Sequence, residues 1–218
     1  MSVKNKEKPG ADQSFLPRLM KGAWVYGVTS VLVKASGLLI IPLFWKKLSP
    51  ADFGVIAVFQ ILSQFLTLAF DLGLSGAVLR LYHEWRHDER AQCLGAIASF
   101  SFLVSGVVGL LLSLFLHSWL DLIFPNLNSS LPVVLGIWSG FLANYINIVG
   151  TLYRVRESRL QFSRLNLGIF MTQTVFSLLS VYLIAGTAVS YLWGQMVGMV
   201  VMGLYCAWES GVDFKFNL

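Results

Sequence analysis

The sequence has few charged residues. Asp, Glu, Lys and Arg make up 12% of its 218 residues, whereas hydrophobic residues make up 56%. Soluble domains carry about 25% charged residues. The shortage of charge therefore argues against an ordinary water-soluble domain and predicts an integral membrane protein.

Cysteines, zinc-binding spacings and nucleic-acid motifs are also scarce. Cys93 and Cys206 stand singly in apolar segments and form no C-x-x-C pair, which argues against a zinc site. The net charge is +5, but no cluster of aromatic and basic residues resembles a nucleic-acid module. We therefore predict no nucleic-acid partner, no cofactor and no bound metal.

Long apolar runs make up most of the chain. A helix needs about 20 such residues to cross a bilayer, and the candidate spans lie at about 22–44, 51–70, 94–116, 131–153, 165–184 and 188–208. The polar first twenty residues contain no apolar core before a cleavage site, so we expect the first span to act as the insertion signal. The sequence thus predicts an all-α, polytopic protein with an N-terminal segment (1–21), a six-helix membrane lobe (22–208) and a tail (209–218).

The positions of the basic residues predict the orientation of these spans. Almost all of the 16 Lys and Arg residues lie in the N-terminal segment, in the connectors after the second and fourth spans, and in the tail. The loop after the first span has only Lys46 and Lys47, and the loop 117–132 has no Lys or Arg. Because Lys and Arg concentrate in cytoplasmic loops, we expect both termini to lie in the cytoplasm.

Polar side chains recur at helical spacing on the first, second, fourth and fifth spans. Such groups need partners or water inside a bilayer, so the stripes indicate a hydrated cleft lined by these four spans. Simple hydrogen bonds between helices, at about 0.6 kcal/mol each, are the alternative. The candidate cavity residues are Tyr26, Ser30, Lys34, Gln60, Gln64, Thr67, Asp71, Asn144, Asn147 and Gln173.

Lys34 lies near the middle of the first span. A charge at that depth costs about 2.5–3.5 kcal/mol on insertion scales, which predicts a side chain that faces protein or water. In a water-filled cavity its ammonium would attract an anionic group such as a pyrophosphate. A salt bridge with Asp71 is a second possibility, and Asp71 has an alternative role as the cap of a helix break at Gly73 and Gly76.

Two local patterns have structural interpretations. Ser49, Pro50 and Asp52 are typical of the start of a helix. The glycine pairs 136/140 and 194/198 predict closely packed helices.

The segment 83–87 matches the zinc-protease pattern H-E-x-x-H. Arg86 would put a cation between the two proposed ligands, and the residues that follow form a charged loop. We therefore interpret this segment as a cytoplasmic connector and predict that the protein is not an enzyme.

The segment 41–84 contains the motifs LSPADFG (48–54) and DLGLSGAVLR (71–80), and it resembles the start of bacterial polysaccharide flippases. These are the O-antigen and exopolysaccharide transporters of the multidrug/oligosaccharidyl-lipid/polysaccharide superfamily. The resemblance implies that the chain flips an undecaprenyl-diphosphate-linked oligosaccharide across the bacterial inner membrane, through a cationic cavity, for lipopolysaccharide or other polysaccharide biosynthesis. By the same resemblance, Lys34 would be the cation in the cavity, with Asp71 and Arg80 at the matching end of the second span. The arginines after the fourth span are explained by topology alone.

The resemblance covers only one lobe. Such transporters have two lobes related by an axis along the membrane normal, whereas six predicted spans make one. We expect a truncated or split half-transporter that pairs with a second lobe or a second copy of itself, with lipid-linked oligosaccharide and membrane lipid as its other partners. The alternatives are a lobe of a multidrug/cation antiporter, in which Asp71 carries protons, and a membrane scaffold that transports nothing.

Overall fold

The computed structural model describes residues 42–82, 84–85, 90–123, 131–156 and 158–213, together with Gly27 and Val31. All regular structure within these residues is helical, which confirms the all-α prediction for this part of the chain. Residues 42–45 are helical, and the helices that follow are α1 (Pro50–Asp71), α2 (Leu74–Leu81), α3 (Arg90–Ile123), α4 (Leu131–Val155), α5 (Arg159–Leu183) and α6 (Ala188–Asp213).

Five stretches of the described helices are long and apolar enough to cross a membrane. They are Pro50–Asp71, Gln92–Phe115, Leu131–Val155, Leu160–Leu183 and Ala188–Glu209. These stretches correspond to the second through sixth predicted spans. Most of the first predicted span, including Tyr26, Ser30 and Lys34, lies outside the described residues, so the count of six spans and the orientation stay predictions.

Helix α1 begins at the predicted cap. The Ser49 hydroxyl accepts a hydrogen bond from the Asp52 backbone amide at 3.2 Å, and the Asp52 carboxylate accepts one from the Ser49 amide at 2.9 Å. Pro50 occupies the first helical position, where its missing N–H has no helical partner to lose. This reciprocal capping box fixes the point at which the chain turns into α1.

Helix α1 ends at a sharp break. Leu72 and Gly73 adopt left-handed conformations with φ of 49° and 76°, and such dihedral angles cannot continue a right-handed helix. Glycine adopts them freely, whereas Leu72 does so at a steric cost. Asp71 accepts a hydrogen bond from the Ser75 amide at 3.3 Å, so its predicted role as the cap of this break is confirmed. Gly76 does not take part, because it lies inside α2.

The connector between α4 and α5 is shorter than the sequence indicates. Helix α5 begins at Arg159, although the span was predicted to begin at about residue 165. The first turns of α5 are helical because Phe162 and Leu165 pack against α4 and α6, while Arg164 on the opposite face stays exposed. Because the segment contains several arginines, its average composition is polar and does not reveal this apolar face.

Four of the helices pack in two pairs. Helix α1 lies on α4, α5 lies on α6, and the two pairs meet where α4 contacts α6. Leu66 and Phe70 of α1 form a buried cluster with Ile137 and Phe141 of α4. Since α4 and α6 join the pairs, a gap is left between α1 and α5.

Both glycine pairs lie at helix–helix contacts, as predicted. A Cβ atom added at Gly198 of α6 would lie 2.7 Å from Cα of Gln173 in α5, and Gly194 meets the same helix one turn earlier. On α4, a Cβ added at Gly140 would lie 2.8 Å from Cβ of Leu66 in α1. These glycines let the helices approach more closely than any larger residue allows.

Candidate functional site

A cleft of about 1080 Å³ occupies the gap between α1 and α5. Pockets of about 300–1,000 Å³ hold small-molecule ligands, so this cleft is large enough for such a ligand. The polar side chains of its wall come from α1 (Gln60, Ser63, Gln64, Thr67), α4 (Asn147), α5 (Gln173, Thr174, Ser177) and α6 (Tyr191, Gln195).

Amide side chains are the main polar feature of the cleft. Gln60 and Gln64 of α1 are exposed, whereas Asn147 and Gln173 are half-buried on the other helices. The side-chain oxygen of Gln195 is buried and has no hydrogen-bond partner among the described residues. Because each amide offers donors and an acceptor, the wall can bond to hydroxyl groups in many orientations.

Two hydroxyl groups of the cleft already have hydrogen-bond partners within the protein. Thr67 donates to the Ser63 carbonyl at 2.7 Å, and Ser177 donates to the Tyr191 carbonyl at 3.3 Å. Bonds of this kind satisfy a hydroxyl within the helical framework. The amides are therefore the groups most suited to a ligand.

One end of the cleft is closed by apolar side chains. Phe44, Leu48 and Ile56 are buried there in a cluster with residues of α5 and α6. The Phe44 ring meets the edge of the Tyr191 ring with centroids 5.0 Å apart. Burial of aromatic and aliphatic surface stabilises this end and keeps water out of it.

Hydrogen bonds hold the closed end to the α5–α6 turn. The Asp52 carboxylate, which caps α1, also accepts a hydrogen bond from the Ala188 amide of α6 at 2.9 Å. The Tyr182 hydroxyl donates to the Leu43 carbonyl at 3.0 Å. One carboxylate thus satisfies the free amides at the start of two helices, where the helix dipoles favour negative charge.

The opposite end of the cleft adjoins a smaller pocket of about 190 Å³, called the side pocket here. Its wall shares Asn147 and Gln173 with the cleft and adds Arg154 and Phe162. The Arg154 guanidinium lies 5.3 Å from the centre of the Phe162 ring and donates to the Asn147 side-chain oxygen at 3.4 Å. The ring and the amide together orient this cation toward the shared wall.

Charge is distributed unevenly between the two spaces. The described residues that line the cleft carry no charge, whereas those that line the side pocket include Arg154 and no acid. The wall of the cleft is suited to neutral hydroxyl-bearing groups, and the side pocket to an anion.

A family model described as polysaccharide biosynthesis protein matches residues 47–218. The matched range contains α1 to α6 and almost the whole wall of the cleft. This chain belongs to the polysaccharide biosynthesis protein family. No curated protein and no solved structure matches it.

Family membership agrees with the resemblance carried by the motifs at 48–54 and 71–80. Together with its membrane-length helices, it makes the chain a membrane protein of polysaccharide biosynthesis. The first motif forms the capped start of α1, and the second forms the break and α2. Both motifs therefore shape α1, which is one side of the cleft.

The structure brings together several of the residues predicted to line a cavity in this family member. They are Gln60, Gln64, Thr67, Asn147 and Gln173. Lys34, Tyr26 and Ser30 lie outside the described residues, so a cationic cavity around Lys34 stays a prediction. His83 and His87 also lie outside them, and the interpretation of the H-E-x-x-H segment stays a prediction as well.

Asn144 is buried and is not among the described residues that line the cleft. Its side chain is 1% exposed, and its amide nitrogen donates to the Ser101 hydroxyl of α3 at 3.0 Å and to the Phe70 carbonyl of α1 at 3.4 Å. Phe70 lies in the last turn of α1, where carbonyl groups lack helical partners. Asn144 therefore joins three helices and does not line the described cleft.

Asp71 and Arg80 are not among the described residues of the cleft wall. Asp71, the last residue of α1, accepts a hydrogen bond from the first turn of α2, and Arg80 is exposed on α2. The break at Leu72 and Gly73 separates Arg80 from the helix that lines the cleft.

Two residues of these spaces were missed by sequence reasoning. Gln195 was passed over because the sixth span is plain in composition, yet it lies between Gly194 and Gly198 on the helix that packs on α5. Its position between two glycines that contact α5 could have indicated that Gln195 lies near that helix. Arg154 was attributed to topology, although it follows Asn147 by seven residues and so shares its helix face.

Proposed function

We propose that this protein translocates a lipid-linked oligosaccharide, carried on undecaprenyl diphosphate, across the bacterial inner membrane for polysaccharide biosynthesis. The observation that carries the proposal is the amide-lined cleft of about 1080 Å³ between membrane-length helices. Membership of the polysaccharide biosynthesis protein family supports a sugar-bearing substrate. The oligosaccharide would occupy the cleft while its lipid stays in the bilayer.

The chemistry of the cleft fits a sugar better than a cationic drug. Sugars present hydroxyl groups that both donate and accept hydrogen bonds, and amide side chains from four helices meet that requirement. Gln195 supplies a buried acceptor that lacks a described partner, and such a group is costly until a ligand satisfies it. Aromatic side chains such as Phe170 and Tyr191 complete a wall that is mostly apolar, as in other ligand sites.

The proposal includes a second lobe or a second copy of the chain. Alternating access works by the movement of one repeat against another around a fixed site. The lobe described here supplies one such body, with its cleft between α1 and α5. A partner facing this cleft would complete the path.

An antiporter lobe is less well supported. It requires a carboxylate that gains and loses a proton within the transport path, and the described wall of the cleft contains none. Asp71 is held by Ser75 at the helix break. Asp71→Asn is expected to leave drug resistance unchanged, and a loss of resistance would favour the antiporter.

Replacement of the amides tests the proposed function. Gln60→Leu combined with Gln173→Leu keeps side-chain volume but removes hydrogen bonds from both sides of the cleft. In cells that depend on this protein, we expect surface polysaccharide to fall about tenfold or more. Polysaccharide is measured by gel electrophoresis of cell extracts, with protein level measured in parallel.

Gln92→Leu is the matched control, because Gln92 is an exposed amide on α3 outside the described wall of the cleft. It is expected to leave the polymer unchanged. Unchanged polymer in the double variant, at a normal protein level, would reject the cleft as the transport site and favour a scaffold.

A further inference from the structure

The proposed substrate has two chemically different parts. Its sugars are rich in hydroxyl groups, whereas the diphosphate that links them to the lipid carries concentrated negative charge. The described wall of the cleft is uncharged and offers the diphosphate no cation. Among the described residues, a cation for the diphosphate can therefore come only from beside the cleft wall.

Among the described residues, Arg154 is a cation that adjoins the cleft. It lies in the last turn of α4, is exposed, and is the basic residue among those that line the side pocket. No Asp or Glu is among the described residues of that pocket. Its described contacts are the Phe162 ring and one long hydrogen bond to Asn147, so most of its five donors remain for a ligand.

Arg90 shows how a differently placed arginine is used. Its side chain donates to the Trp85 carbonyl at 3.1 Å, and its guanidinium lies 4.8 Å from the centre of the Tyr82 ring. That arginine joins α3 to the end of α2 and lines neither space. Arg154 differs because its neighbours support the guanidinium beside a pocket.

We propose that Arg154, supported by Phe162 and Asn147, forms a diphosphate subsite in the side pocket, and that this subsite orients the substrate with its sugars in the cleft. The inference rests on the proposed function and names the residue that binds the charged part of the substrate. A guanidinium binds phosphate oxygens through two parallel hydrogen bonds. Stacking on an aromatic ring holds it in one plane for that contact.

The shared wall explains how the two parts of one substrate are bound together. Asn147 and Gln173 line both spaces. A diphosphate at Arg154 therefore brings the first sugar directly to two amides. The predicted topology puts the end of α4 at the cytoplasmic surface, which is where a substrate made in the cytoplasm would load.

Binding to purified full-length protein tests the subsite. The protein is placed in phosphatidylcholine nanodiscs, and its affinity for undecaprenyl diphosphate and for undecaprenol is measured by native mass spectrometry. Arg154→Gln is expected to weaken binding of undecaprenyl diphosphate about tenfold or more, because charge-assisted hydrogen bonds are lost. Binding of undecaprenol, which has no phosphate, is expected to stay unchanged.

Arg164→Gln is the matched control, since Arg164 is exposed on α5 and does not line the side pocket. It is expected to bind undecaprenyl diphosphate like the unmodified protein. If Arg154→Gln is poorly folded, Arg154→Lys replaces it. That variant keeps the charge but loses the paired hydrogen bonds, so binding is expected to weaken several-fold.

Other sources of phosphate are separate arms of the experiment. Inorganic pyrophosphate is expected to compete through Arg154, whereas nanodiscs containing phosphatidylglycerol are expected to compete little. Strong competition by phosphatidylglycerol would make Arg154 a general phospholipid contact and would overturn the proposal. Equal binding by Arg154→Gln and unmodified protein, or an equal loss in Arg164→Gln, would overturn it too.

The outcomes separate this inference from the proposed function. If Arg154→Gln binds undecaprenyl diphosphate normally while the Gln60→Leu/Gln173→Leu variant loses polysaccharide, the subsite is rejected and the proposed function stands. If the unmodified protein binds undecaprenyl diphosphate no better than undecaprenol, and the Gln60→Leu/Gln173→Leu variant keeps its polysaccharide, both the subsite and the proposed function are rejected.

Discussion

The two sides of the cleft are assembled by different kinds of contact. In the α5–α6 pair, Gly194 and Gly198 bring one helix against the backbone of the other. In the α1–α4 pair, Gly136 meets the side chains of Leu62 and Phe59, whereas Gly140 meets Cβ of Leu66 and the backbone of α1. Asn144 adds hydrogen bonds to α1 and α3.

This difference shows what fixes each side of the cleft. Backbone contact in the α5–α6 pair leaves almost no room for an added atom, and packed interiors tolerate such atoms poorly. The α1–α4 pair is equally close at Gly140 but less close at Gly136, where an added Cβ would lie 3.1 Å from the Leu62 side chain, and it also depends on one buried amide beside the broken end of α1. The first pair should therefore be the more sensitive to added volume, and the second should respond to a lost hydrogen bond as well.

The largest effect is expected from Gly198→Ala. The new Cβ would lie 2.7 Å from Cα of Gln173, so α5 and α6 must move apart. We expect the free energy of unfolding to fall by about 2–3 kcal/mol, measured by titrating the protein with SDS in mixed micelles. Gly203→Ala is the control, because its Cβ would meet only Leu142 at an ordinary 3.7 Å.

The control should be neutral or slightly stabilising, since alanine is the better helix former by up to about 1 kcal/mol. Equal destabilisation by the two alanines would show that α6 is sensitive to any added methyl group. The contrast between the two sides of the cleft would then be lost.

A smaller effect is expected from Asn144→Leu on the other side. The substitution keeps volume but leaves the Ser101 hydroxyl and the Phe70 carbonyl without this donor, at a cost of about 2 kcal/mol. The same titration measures it. Asn166→Leu is the matched control, because Asn166 bonds only one turn back along its own helix, to Phe162, and it should cost less. A larger loss in that control would contradict the special role of Asn144.

Much of the framework could be predicted from the sequence because it follows from local rules. The capping box at Ser49 and Asp52 and the helix break beside Asp71 depend on neighbouring residues only. The glycine spacing at 194 and 198 marks a close helix contact whatever helix lies opposite. Such features need no knowledge of the tertiary arrangement.

The wall of the cleft could be predicted only in part. Asn144 and Asn147 lie about 60° apart on one helix, so periodicity assigned both to the same face. Their neighbours separate them, because α1 and α3 cover Asn144 whereas the cleft reaches Asn147. Phe162 lies in a stretch that looked like a loop, and only its packing against α4 puts it beside Arg154.

The smallest effect concerns a carboxylate that links the two sides. Asp52 caps α1 and also accepts a hydrogen bond from the first amide of α6. Ser49→Ala removes only the hydroxyl of the α1 cap, whereas Asp52→Ala removes the reciprocal bond and the bond to Ala188. We expect Asp52→Ala to lower the free energy of unfolding by about 1 kcal/mol more than Ser49→Ala, since a helix cap contributes about that amount. SDS titration of both variants measures the difference, and equal losses would mean that Asp52 stabilises its own helix without joining the two sides of the cleft.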